Sequence, residues 1–215
     1  MGLDPPAPRL RRLLAAEGFP YPEAVVQAAL GEEMRHYRAH KEEARDAPTL
    51  AALRARCAAV LGAGLPDGQP PLPRLTEILV ASLEFVLLPD ARPALDELAS
   101  GGYRLAVVSN WDYELPSELA RLGILDRFEV VAVSATLGVA KPDPAIFAWA
   151  LDALGVTAGE AVHCGDRPDK DCAGARAAGI RAVLLDREAL HEGAPCARIS
   201  ALTDLPALLD GRSLG

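Results

Sequence analysis

The sequence predicts an α/β fold: a parallel sheet with flanking helices, preceded by an N-terminal region that is helical throughout. Two observations support it. From Pro89 onward, short buried-looking apolar runs alternate with amphipathic helical segments, the pattern of strands joined by right-handed crossovers. Before about residue 85, every periodic segment has helical spacing, as in a small bundle.

Arg9–Glu17 follows a Pro-rich opening and stops near Gly18. Glu23–His40 carries Val26, Leu30, Met34 and Tyr37 as a packing stripe, and Thr49–Leu61 places Leu50, Leu53 and Cys57 on one face. Gly62–Pro73 is turn-rich, and Leu75–Glu84 is again helical. The second region starts with a helix over Ala91–Ser100, closed by Gly101-Gly102, and a strand over Leu105–Val108. A helix over Pro116–Leu122, a strand over Val130–Val133 and a helix over Pro144–Leu154 follow. Then come a strand over Ala161–Cys164, a helix over Asp171–Ala178 and a strand over Ala182–Leu185. The organisation expected is a helical region over 1–85 and an α/β core over 86–215.

A chain of 215 residues can bury one core with a small accessory unit. Its net charge of -8 excludes a nucleic-acid partner, since nothing would neutralise a run of phosphates. No apolar run reaches bilayer-spanning length and no leader pattern opens the chain, so no membrane association and a cytoplasmic location are expected. Composition sets no oligomeric state. Cys57, Cys164, Cys172 and Cys196 show no disulfide framework, and Cys164 with Cys172 lacks the second ligand pair that zinc requires. His36 and His40, one turn apart without a third ligand, read as a solvated helix face.

Ligands of parallel sheets bind beyond the carboxyl ends of the strands, so the residues there are the candidates. Ser109 and Asn110 can hold a phosphate oxygen with a hydroxyl and nearby amides. Lys141, followed by Pro142 and Pro144, offers a point charge on a fixed stem. Gly165-Asp166-Arg167-Pro168-Asp169-Lys170-Asp171 crowds three carboxylates into one loop, which is unfavourable unless a cation bridges them. Magnesium suits such hard oxygen ligands, with Asp166 at the end of its strand. Helix capping explains Asp171 alone.

Together, Val108-Ser109-Asn110, Lys141-Pro142-Asp143 and Gly165-Asp166 through Asp171, in that order and each after a strand, resemble the second, third and fourth motifs of the haloacid-dehalogenase-like (HAD) superfamily. The likeness spans Pro89 to Arg187 and includes the Ala173–Gly179 stretch, while the helical region resembles the cap many members insert. The resemblance implies a Rossmann-like core, magnesium, and hydrolysis of a small phosphorylated substrate through an aspartyl-phosphate. It gives Asp166 and Asp171 to the metal, Ser109 and Asn110 to the phosphoryl oxygens and Lys141 to charge neutralisation. Trp111 becomes a candidate lining for the substrate pocket, or plain packing.

The first motif of that superfamily, an apolar strand ending in the nucleophilic aspartate, has no counterpart. Asp4 is the only acid before the first helix and follows just three residues. Because that strand lies centrally in the superfamily, its absence leaves the strands before Ser109 and Gly165 with unpaired edges around an apolar slot. The expectation is that translation starts upstream of Met1 and that the nucleophile lies there. The alternatives are a catalytically inactive HAD-like binding protein, and a 2-haloacid dehalogenase, which Ser109-Asn110-Trp111-Asp112 resembles faintly. The carboxylate cluster favours the phosphatase, since a metal-free halide site gains nothing from it.

Overall fold

A computed structural model describes residues 1–66 and 68–211. The chain divides into two compact units, Met1–Val86 and Leu87–Gly215.

In the first unit, β1 (Gly2–Leu3) is followed by the helices α1 (Pro6–Ala16), α2 (Glu23–His40), α3 (Ala47–Ala63) and α4 (Leu72–Ser82), then β2 (Phe85–Val86). The helices bury one shared apolar face, built from Leu10, Leu14, Val26, Leu53, Leu61 and Leu75 among others. A reciprocal capping box starts α3: Asp46 accepts from the Thr49 amide and the Thr49 hydroxyl accepts from the Asp46 amide. The unit is not purely helical, as the sequence suggested, because β1 and β2 pair antiparallel with Leu3 opposite Phe85. Asp4 follows that short strand, exposed, its amide bonded to the Glu84 carbonyl. His36 and His40 stack at 4.1 Å, and His40 Nδ1 lies 2.7 Å from the His36 carbonyl. Among the described residues, no group of three His, Cys, Asp or Glu side chains is arranged to hold a metal.

The second unit alternates as its apolar runs require. It comprises α5 (Ala91–Ser100), β3 (Ala106–Ser109), α6 (Leu115–Arg121), β4 (Val130–Val133), α7 (Ser134–Leu137) and α8 (Pro144–Leu154). These lead to β5 (Val162–Gly165), a π-helical turn over Pro168–Cys172, α9 (Ala173–Ala177), β6 (Arg181–Leu185), β7 (Ala197–Ile199) and α10 (Asp204–Leu209). All strand pairs here are parallel, but they form two sheets, β3-β4 and β5-β6-β7. Phe147 and Ile146 of α8 pack with Ala175 and Leu184 in one core cluster, while Leu95, Leu115 and Val133 centre another.

Between β3 and β5 lies a cavity of about 640 Å³, lined by both strands and by Leu95, Leu98, Phe147 and Ile180. The Leu105 carbonyl accepts from the Glu129 amide, which turns alternate residues of β3 toward β4. Ala106 and Val108 therefore present their backbone groups to the cavity, because donors and acceptors alternate sides along a strand. Such groups are ordinarily paired inside a protein.

Candidate active site

The site gathers where β3 and β5 end. Lys141, in the segment leading into α8, directs its ammonium back over β3: Nζ lies 2.7 Å from the Val108 carbonyl and 2.6 Å from Asp171 Oδ1. Asn110 holds both backbone polar groups of Lys141, which belong to successive peptide planes. Its Nδ2 donates to the Lys141 carbonyl at 2.9 Å and its Oδ1 accepts from the Lys141 amide at 2.7 Å. Asn110 thus fixes where Lys141 stands, a task that the sequence alone did not suggest.

Asp171 is the hub. It is 2 % exposed. Oδ1 accepts from Lys141 and from His163 Nε2 at 2.9 Å, and Oδ2 accepts from the Arg167 amide at 2.9 Å. Burial opposes ionisation of this carboxyl, but the His163 hydrogen bond and the Lys141 charge outweigh burial and hold it well below the usual carboxylate range. Gly165 makes the arrangement possible, since a Cβ there would overlap the Asp171 carboxylate. Three of the roughly four acceptor positions of Asp171 are already taken.

Asp166 differs. It is exposed, directly beyond β5, and makes no hydrogen bond or ion pair among the described residues. Asp169 is paired with the Arg167 guanidinium on the surface. Of the three carboxylates in the loop, then, one is buried and held, one is paired and one is open.

Ser109 ends β3 and, with Lys141, Asp166 and Asp171, lines the cavity. Trp111 is placed apart from them. Its amide donates to Ser134 Oγ at 3.0 Å, and its side chain packs against the cluster of Leu95, Leu115 and Val133. Cys164 also lines the cavity; burial, with the Asp171 charge nearby, pushes its thiol up to about 12. Cys172 is bonded to Cys196 rather than poised with Cys164, a disulfide that their spacing did not announce. His163 was missed as well: its one sequence signal is its place on the strand that precedes the acidic loop.

A parallel α/β unit with a lysine and two carboxylates gathered at its strand ends defines a Rossmann-like core with a charged site. The haloacid dehalogenase-like hydrolase family matches residues 8–179, and the chain belongs to that family. A phosphoserine phosphatase from Thermus thermophilus is 42% identical over 104 residues, 48% of this chain and 42% of that protein. A HAD phosphatase structure from Thermococcus onnurineus superposes with a TM-score of 0.63 at 25% identity, covering 97% of this chain and 90% of the other. A 2-haloacid dehalogenase structure from Pseudomonas syringae gives 0.62 at 26% identity, covering 96% and 92%. The chain spans about half the length of the curated relatives it matches. No helix among the described residues is long and apolar enough to cross a membrane.

Proposed function

We propose that this chain supplies the cap, residues 1–86, and most of the catalytic core of a magnesium-dependent phosphatase acting on a small phosphorylated metabolite. The observation that carries the reading is the unequal treatment of two neighbouring acids. Asp171 is neutralised by Lys141, while Asp166 is left open at the mouth of the cavity. Asp166, with the remaining acceptor position of Asp171, suits magnesium, which is held by one or two carboxylates and completes its shell with water and phosphate. Bound there, the ion supplies neutralisation of the charge on a transferring phosphoryl group.

The protein's own groups divide the remaining work. The Ser109 hydroxyl, together with backbone amides beyond β3, orients phosphoryl oxygens. Lys141, set in place by Asn110, offsets negative charge beside them. The nucleophile is an aspartate on a strand that fills the cavity between β3 and β5, encoded upstream of Met1. Its carboxylate displaces the substrate's leaving oxygen at phosphorus, and water then hydrolyses the acyl phosphate.

The test is expression of the chain with its upstream in-frame codons, followed by assay on p-nitrophenyl phosphate and phosphoserine. The expected result is hydrolysis that chelator abolishes and that Asp166→Asn eliminates; unchanged turnover by that variant would overturn the assignment. Likeness to the 2-haloacid dehalogenase structure supplies a second reading. Halide release from 2-chloropropionate, indifferent to chelator, would select it, and inertness toward both substrate classes would select a binding protein.

A further inference from the structure

His163 lies outside every recognisable motif, yet it bonds directly to the carboxylate at the centre of the site. Its Nε2 is 2.9 Å from Asp171 Oδ1, and its side chain is only 13% exposed. The ring meets Phe147 edge-on, with centroids 4.9 Å apart and planes at 84°. Phe147 is itself 1% exposed in the α8 core, so the imidazole is held from both sides and does not turn without repacking the interior. An ionised carboxylate only accepts hydrogen bonds, so the proton of this contact sits on His163 Nε2.

The end of an aspartate side chain rotates in a broad torsional well, and donors in several directions are needed to fix its plane. Lys141 gives Oδ1 one donor and the Arg167 amide reaches only the other oxygen, so the His163 ring adds the third direction. We propose that His163 is the positioning residue of Asp171. Its Nε2–H fixes the carboxylate plane so that Lys141 takes one oxygen and the remaining acceptor position of the other is turned toward a cation; that last part rests on the magnesium reading above.

Two measurements on the 215-residue chain test this. Long-range proton–nitrogen NMR correlation should show His163 protonated at Nε2, with a resonance that moves in Asp171→Asn. A bare Nε2 would overturn the proposal. Titration calorimetry with magnesium chloride should show His163→Leu binding about ten- to a hundredfold more weakly, the usual loss when a partner of a liganding group is removed. His163→Gln, which returns an N–H at similar reach, should stay within a fewfold of the parent. Equal affinities in the Leu variant and the parent, or no rescue by Gln, would overturn the proposal. Should the parent take up no magnesium, the metal reading fails by itself, and the Nε2 proton with its response to Asp171→Asn still decides the role of His163.

Discussion

Lys141 Nζ stands 2.6 Å from Asp171 Oδ1 and 2.7 Å from the carbonyl of Val108. β3 and β5 belong to separate sheets, so this one ammonium reaches from the end of the first to the turn that follows the second. The pair is nearly dry, with side chains 11% and 3% exposed. A buried ion pair adds little net stability, because desolvation offsets attraction, but removing one partner leaves the other stranded.

Lys141→Met should therefore lower stability by about 3 kcal/mol, the low end of the cost of breaking a buried pair. It leaves Asp171 with two donors and the Val108 carbonyl with none from this side chain. Urea unfolding measures the loss. Lys141→Met combined with Asp171→Asn should recover part of it, since no charge is then uncompensated. A single-variant loss near zero would mean that water already solvates the carboxylate.

Gly165→Ala should displace Asp171, because the new methyl group falls on its carboxylate. A cost of about 1–3 kcal/mol is the usual result of overpacking. The diagnostic is a cycle with Asp171→Ala: once the carboxylate is gone, the same methyl should cost much less. Additive losses would show that the glycine serves the backbone alone.

The elements legible in the sequence were those with period and punctuation together. Glu23–His40, Ala91–Ser100 and Pro144–Leu154 fall where apolar spacing and flanking Gly or Pro put them. β7 has three residues and no alternation to read, and β1 and β2 have two each. Residues read as a loop over Gly165–Asp171, with a helix from Asp171, instead wind as a π-helix over Pro168–Cys172 before α9 begins at Ala173. Ser109, Asn110, Lys141, Asp166 and Asp171 were visible because strand ends are where such sheets bind ligands. Which of them touch was not visible: Asn110 and its partner Lys141 are 31 positions apart, and spacing does not encode that distance. His163 stayed hidden because a histidine in a strand reads as core until its partner is known.

Acid should act on two carboxyls in opposite senses. Asp171 has a depressed pKa, so it contributes stability above the unfolded value, near 3.9, that is lost as pH falls through its folded value. The stability curve should slope down below about pH 4, and Asp171→Asn should flatten that slope. Glu33, buried in α2, is raised by burial, so its ionisation destabilises the folded unit at neutral pH. Glu33→Gln should stabilise at pH 7 and lose its advantage below about pH 4, where the parent carboxyl is protonated in both states. Urea midpoints across pH check both signs.

The remaining prediction concerns the cysteines. Cys172 closes the turn that carries Asp171, and its disulfide to Cys196, with Cα atoms 6.2 Å apart, spans 24 residues that include α9 and β6. The Arg176 guanidinium of α9 adds a bond to the Pro195 carbonyl at 2.8 Å, so the same loop is tied once to the π-helical turn and once to α9. Closing a loop of that length restricts the unfolded chain by about 3 kcal/mol. Reduction, or Cys172→Ser with Cys196→Ser, should lower the unfolding midpoint accordingly. The free thiols, Cys57 and Cys164, are both pushed up to about 12 by burial and neighbouring carboxylates. The native protein should therefore react slowly with a thiol reagent, label two cysteines when denatured without reductant, and label all four after reduction. Four labels without reductant, with a melting temperature indifferent to dithiothreitol, would show that the pair is not bonded in solution. In that case the position of Asp171 depends on Lys141, His163 and the Arg167 amide, with no covalent tie behind them.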